Sequence, residues 1–253
     1  MPIGVLDLGM SEEQRAWVDE RVRHRVRPGW DLAFRGRKNT EESYKAHVAR
    51  AFLPRYFPDS DIYLWMDADT WLQRGEAVGV LMEAASDGSI AICPEADVGY
   101  GFLYDGTLHR FLEKTYRRSF GRREGRALLA SPPLNSGVFA LRRDAPHWDA
   151  WQRALAEVLR SVRDPYTDQT SMTRAVYADR LPARFLPATF NWACGLGLPA
   201  VDVRRDLLTH PCLPHEPLHI VHLTGPTKWS DQTLTRLGGG TLTRSLRYRG
   251  GNP

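Results

Sequence analysis

The chain has 253 residues, enough for one large α/β domain or two small ones. Its 42% hydrophobic and 25% charged residues exclude global disorder, and no apolar run reaches the roughly 18 residues that a membrane-spanning helix needs. The net charge of +4 invites a nucleic-acid reading, but only four of the 34 basic residues are lysines (Lys38, Lys45, Lys114, Lys228) and no segment has the pattern of a nucleic-acid module, so nucleic acid is not an expected partner.

In chain order, a short apolar strand is expected at Ile3 to Leu6. It is followed by a helix capped by Ser11 and Gln14, with Trp17, Val18, Val22 and Val26 at helical spacing. "NTEESYKAHVARAFLPRYFP" reads as a second helix, with Thr40 as cap and Pro54 near its end. "DIYLWMDADTWLQ" is an apolar strand running into polar residues, and a helix follows at Glu76 to Ala85. Ile90 to Cys93 is a buried strand. A Gly-rich loop, "VGYGFLYDG", precedes a helix at Leu108 to Tyr116, and "GRREGR" reads as a charged loop. Asn135 to Leu141 is a strand. An amphipathic helix starts at Asp144 and Pro146, and Asp168 caps another, "QTSMTRAVYADR". The last third is strand and loop: "ARFLP", "FNWACGLG" and "LHIVHLTGPTKW".

Alternating strands and helices imply an α/β fold, with a mixed, mostly parallel central sheet and helices on both faces. Without a linker or repeat, one domain is expected over residues 1–235. A loose Gly- and Arg-rich tail is expected over 236–253. Cys93, Cys194 and Cys212 lack both metal spacing and close pairing, which suits a reducing, cytoplasmic setting. Nothing at the N-terminus has the pattern of a signal peptide.

Chemistry concentrates where apolar strands end. Asp67 and Asp69 follow Ile62 to Met66 two residues apart, and two like charges so close repel unless something positive sits between them. A divalent cation held at the sheet's carboxyl edge would remove the repulsion, since hard cations take carboxylate oxygens and substrate phosphates. Read blandly, Asp69 caps the next segment and Asp67 faces solvent. His222 closes another apolar strand, followed by Gly225, which permits close backbone approach, and Lys228, a mobile charge suited to phosphate. A satisfied core histidine and a solvated lysine are the bland alternatives. In "LNSGVFAL", Asn135 offers a neutral donor and acceptor, and Gly137 leaves room for a ligand. Asp168 and Gln169 start a helix.

"YLWMDADT", "NSGVF", "DQT" and "HLTGPTKW", in this order and at these separations, resemble the family 8 retaining glycosyltransferases, the galactosyltransferase and glycogenin group with a GT-A fold. The resemblance covers about residues 3–230. It implies a hexosyltransferase that moves a hexose from a nucleotide sugar, UDP-glucose or UDP-galactose, to a hydroxyl of a glycan or lipid-linked acceptor. Carried over, Asp67, Asp69 and His222 would hold Mn2+ (or Mg2+) on the donor diphosphate. Gly225 and Lys228 would meet the phosphates, and Arg50 would contact the donor. Asn135, Asp168 and Gln169 would hold the transferred sugar beside Gly137, with Gln169 nearest the reacting face. Front-face attack by the acceptor hydroxyl, with the departing phosphate taking the proton, is the mechanism implied.

Two departures from the family pattern stand out. Lys228 is followed directly by Trp229 where the family has Pro-Trp. "PIGVLDLGMSEEQ" matches the family's second strand, so its first, uridine-binding βα unit is expected to be missing. That departure keeps open a catalytically silent GT-A-like protein that binds nucleotide sugars or glycans. A dehalogenase-type phosphohydrolase also uses two strand-end aspartates, but its DxDx[TV] pattern needs Thr or Val where Trp71 stands. "DVGYGFLYDG" and "FNWACGLG" are expected to border the acceptor cleft. Arg244, Arg247 and Arg249 with Tyr248 suggest peripheral contact with an anionic membrane surface, at its inner face.

Overall fold

The computed structural model describes residues 1–101, 106–164 and 166–249. β1 (Gly4–Leu6) and β2 (His24–Val26) flank α1 (Glu12–Asp19). Short helical turns follow, among them α2 (Ala46–Ala49) and α3 (Leu53–Tyr56). The middle of the chain supplies β3 (Ile62–Met66), β4 (Thr70–Leu72), α4 (Glu76–Ala84), β5 (Ile90–Pro94), α5 (Thr107–Leu128), β6 (Leu134–Arg142), α6 (His147–Val158), α7 (Thr167–Ala178) and β7 (Ala183–Phe185). The final third supplies β8 (Trp192–Ala193), β9 (Ala200–Asp202), β10 (Leu207–Thr209), β11 (Ile220–His222), β12 (Gln232–Thr235) and β13 (Thr241–Arg244).

The central sheet has the order β3-β6-β5-β7. β6 is antiparallel to both of its neighbours and β5 is parallel to β7, so three of the four strands share one direction. Side-chain alternation buries both faces of the sheet. Ile90, Ile92, Phe139 and Leu141 pack with Trp148, Trp151 and Met172 of α6 and α7. Ala91, Cys93, Val138 and Ala140 pack with Ala77 and Leu81 of α4. The arrangement is the single mixed α/β layer with helices on both faces that the sequence implies. A second sheet, β4-β11-β8, lies beside it, with His222 opposite Thr70 on one side and Ala193 on the other.

Several elements differ from expectation. The capping box of Ser11 and Gln14 forms, but α1 stops at Asp19, and Val26 belongs to β2, paired in parallel with β1. The apolar spacing of Val22 and Val26 suits either period over so short a run. Thr40 is extended and starts no helix, because the chain from Glu42 to Tyr56 turns in short pieces. "GRREGR" is helical, not a loop: α5 continues through it to Leu128, kinked at Gly121, whose φ of 77° a glycine adopts freely. Among the described residues β1 pairs only with β2, and β3 only with β6, so one edge of each is unpaired.

Residues 236–249 do not hang loose as their composition suggests. β12 and β13 form a hairpin, Leu246 is buried, and its carbonyl accepts a hydrogen bond from Trp71 Nε1 at 2.9 Å. Among the described residues, no helix is long and apolar enough to cross a membrane.

Candidate functional site

The strand directions bring the carboxyl ends of β3 and β5 and the start of β6 to one edge. Asp67 follows β3, Asn135 to Gly137 open β6, and Glu95 follows β5. The Asp67 amide donates to Gly137 O at 2.8 Å, which fixes the backbone where the carboxylates emerge. β11 delivers His222 from the second sheet, and Leu223 N–H donates to Asp69 O at 2.9 Å, tying the two strand ends together.

His222 Nε2 lies 3.5 Å from Asp69 Oδ1 and 4.0 Å from Asp67 Oδ2. One ligand atom from each of the three residues falls within 4.8 Å of the others, a group that could hold a metal ion. Two carboxylates and an imidazole are a donor set that Mn2+ accepts, the nitrogen being less suited to Mg2+. Gly137 lets the His222 ring pack against the β6 backbone, because a Cβ there would lie 2.3 Å from His222 Cε1 and 3.0 Å from Asn135 Oδ1 and Asp67 Oδ2. What a side chain at Gly137 would meet is His222, Asn135 and Asp67.

The repulsion between the aspartates is resolved by protein cations. Arg50 Nη2 pairs with Asp67 Oδ1 at 2.9 Å, and Lys228 Nζ with Asp69 Oδ2 at 2.6 Å. Burial works against the charge on Asp69, but the hydrogen bond and charge of His222 and the Lys228 ammonium hold its pKa down at about 2. Trp65 Nε1 also donates to Asp67 Oδ1 at 2.7 Å.

Arg50 is buried and bridges two carboxylates, since its Nη1 lies 2.7 Å from Asp168 Oδ2. It also donates to Ser136 Oγ at 2.9 Å and stacks over the Trp65 ring. Asp168, 1% exposed, accepts from Ser136 Oγ at 2.7 Å and meets His47 Nδ1 at 3.1 Å. Burial would raise its pKa, but the Arg50 charge, then His47 and Ser136, bring it down to about 2. α7 begins at Thr167, with Tyr166 in the cap position, so Asp168 sits inside the first turn and is not the expected cap. Its carboxylate braces Arg50 from below the site. Removing one member of such a buried set costs about 3–5 kcal/mol, because a charge is left uncompensated.

Asn135 is equally engaged. Its Oδ1 accepts from Gly137 N–H at 2.9 Å and from Asn191 Nδ2 at 3.0 Å, while its Nδ2 donates to Glu95 Oε1 at 2.7 Å. Glu95 is fully enclosed, and burial raises its pKa above the ordinary 4.5. Its Oε2 and the Nε2 of Gln169 are both buried with no hydrogen-bond partner within the described structure. Gln169 lies close enough to favour the ionised form of Glu95.

Gly225 opens the turn that carries Lys228. Its φ of +60° suits glycine, and no atom lies within 4 Å of where a Cβ would be. Arg247 donates to Lys228 O from Nε at 2.8 Å and from Nη2 at 2.6 Å, so the C-terminal segment holds the lysine's backbone. Arg244 pairs with Asp206 at 2.6 Å. Two of the three arginines expected to meet a membrane thus have internal partners. α5, by contrast, carries seven Lys and Arg against two Glu, a net +5 in a chain whose total is +4. Lys114, Arg117, Arg118, Arg122, Arg123 and Arg126 are all exposed and form no ion pair with a described residue.

The two stretches expected at the acceptor cleft pack on each other. Tyr100 and Trp192 rings lie 4.8 Å apart. A Cβ on Gly197 would come within 2.3 Å of Gly99 O, so these glycines serve close backbone approach. Phe102 to Asp105 of the first stretch lie outside the described residues.

Sequence reasoning missed Glu95, Asn191, Ser136, His47 and Trp65. Only Glu95 carried a signal: "IAICPE", like "IYLWMD", is an apolar strand running into a carboxylate.

No protein-family model matches the chain, and no curated protein shows significant sequence similarity to it. Among solved structures it resembles two of the galactosyltransferase LgtC, one an active-site mutant and one in complex with donor and acceptor sugar analogs. The TM-score is 0.50 for both, with 17% and 16% identity, over 88% of this chain and 76% of that one. At such identity the likeness speaks for the fold alone: this chain has the GT-A-like fold of glycosyltransferases, with an Asp–Asp–His group at the carboxyl edge of its central sheet.

Proposed function

We propose that the protein is a metal-dependent hexosyltransferase of the family 8 kind, taking UDP-glucose or UDP-galactose as donor and a glycan or lipid-linked hydroxyl as acceptor, with retention. The observation that carries this reading is the convergence of ligand atoms of Asp67, Asp69 and His222 within 4.8 Å of one another, in a GT-A-like fold. Mn2+ held there would act as a Lewis acid on the diphosphate leaving group.

The chain's own residues prepare that chemistry. Arg50 and Asp168 hold Asp67 in place from the buried side. Lys228, on a turn that Gly225 leaves uncrowded, is the mobile cation able to move from Asp69 to a phosphate. The unsatisfied Glu95 Oε2 and Gln169 Nε2 offer an acceptor and a donor to sugar hydroxyls. In the transfer the acceptor oxygen bonds to the anomeric carbon as the bond to the departing phosphate oxygen breaks. That phosphate takes the acceptor's proton. An amide at Gln169 is a poor nucleophile, which favours front-face attack over a covalent intermediate.

Contact with an anionic membrane, where lipid-linked acceptors reside, belongs in this reading to the exposed basic face of α5 and not to the tail. The test of function is UDP release. Protein incubated with UDP-glucose or UDP-galactose should release UDP only when Mn2+ or Mg2+ is present, and Asp69→Asn should abolish it while the fold persists. Metal-independent release, or near-wild-type rates in that variant, would refute the reading.

A further inference from the structure

We propose that Asn191 is a positioning residue that fixes the proton of His222 on Nδ1, so that the lone pair able to bind a metal arises only on Nε2, the atom facing Asp67 and Asp69. The proposal rests on the metal reading above for its purpose, but not for its geometry.

The direction of every hydrogen bond follows from one backbone group. Gly137 N–H can only donate, and its partner at 2.9 Å is Asn135 Oδ1. That fixes the Asn135 amide, whose Nδ2 then donates to a carboxylate oxygen, Glu95 Oε1. Asn191 Nδ2 donates to the same Asn135 Oδ1 at 3.0 Å. The other end of the Asn191 amide, its oxygen, is therefore what lies 2.9 Å from His222 Nδ1. An amide oxygen only accepts, so Nδ1 carries hydrogen whatever the charge of the ring. A proton can leave only from Nε2. Second-shell partners of this kind orient ligating histidines and fix their tautomer.

Burial and backbone both hold the arrangement. Glu95, Asn135, Asn191 and His222 are each 5% exposed or less. β8, which follows Asn191, is paired in parallel with β11, and Cys194 N–H donates to His222 O at 2.9 Å. The identity of residue 191 follows from the same geometry: it must donate to one neighbour and accept from another. Aspartate would set a carboxylate against Asn135 Oδ1, and leucine would leave Nδ1–H unsatisfied in the interior.

The experiment reads the tautomer directly. Long-range proton–nitrogen correlation spectra of the metal-free protein should show His222 protonated at Nδ1. A neutral ring with its proton on Nε2 overturns the proposal without any variant being made. In Asn191→Leu the Nδ1–H signature should give way to a mixture, and Mn2+ affinity by calorimetry should fall about 10- to 100-fold with circular dichroism unchanged. A variant with the wild-type tautomer, or with Mn2+ affinity within about twofold of wild type where the wild type binds, sinks it. If wild type binds no Mn2+ but the tautomer shifts in Asn191→Leu, the metal reading fails and the positioning role stands.

Discussion

Lys228 Nζ lies 2.6 Å from Asp69 Oδ2, on the carboxylate that a divalent cation would share with His222. The ammonium thus occupies part of the coordination shell of the ion it would work beside, and metal and lysine compete for one oxygen. Lys228→Met should therefore leave Mn2+ affinity in the absence of donor equal to wild type or tighter. Turnover should fall about a hundredfold, from lost stabilisation of the leaving group. Calorimetry with Mn2+ alone, beside initial rates of UDP release, separates the two effects. Weaker metal binding in the variant would mean that the lysine supports the site and does not compete for it.

Gly137 lies against two of the three candidate ligands, His222 and Asp67. Its missing side chain leaves the volume that a Cβ would share with His222 Cε1 at 2.3 Å. Gly137→Ala must push the imidazole away, and overpacking a tight interior costs about 1–3 kcal/mol. The expected outcome is a folded protein with a lowered Tm whose further rise on adding Mn2+ is lost. A thermal melt with and without the ion checks this. A metal-induced shift of wild-type size would show that the ion does not use His222.

Much of this site was legible in the sequence because strand chemistry is periodic. Asp67, Asp69 and His222 each end an apolar run, and Gly137 and Gly225 stand where side chains would crowd or strain. What was not legible lies in contacts that no spacing encodes. Asn191 meets His222 only because β8 and β11 pair, 31 residues apart. Asp168 looked like a helix cap, and only folding shows that its neighbours are Arg50, Ser136 and His47. The composition of the tail suggested looseness, whereas Leu246 is buried and Arg247 holds the Lys228 carbonyl. Such backbone contacts leave no trace in a hydropathy pattern.

Where the basic charge is free also decides which residues could meet a membrane. Each exposed Lys or Arg near an anionic surface contributes about 1 kcal/mol, and α5 presents six that form no ion pair with a described residue. The double variant Arg117→Glu and Arg118→Glu should reduce co-sedimentation with phosphatidylglycerol-containing vesicles at least tenfold. Arg249→Glu should change it far less, and both effects should fade with added salt. Equal losses from the tail and the helix would contradict the assignment to α5, as would vesicle binding indifferent to charge.

Glu95 sets a pH dependence whose sign follows from its burial. Its folded pKa is raised above the ordinary 4.5. The fold therefore favours the protonated acid, and the stability this gives is complete below about pH 4.5 and is lost as pH rises through the folded value. At neutral pH the enclosed carboxylate is a cost that a neutral amide would not carry. Glu95→Gln keeps an acceptor oxygen for Asn135 Nδ2, and the Gln169 amide can turn to meet the new donor. The variant should melt above wild type at pH 7. The advantage should shrink as pH falls and vanish near 4.5. Melting curves of both proteins from pH 4 to 8 test this. A gap that widens toward acid would mean that Glu95 is held charged by its amide neighbours, with hydrogen bonding outweighing burial.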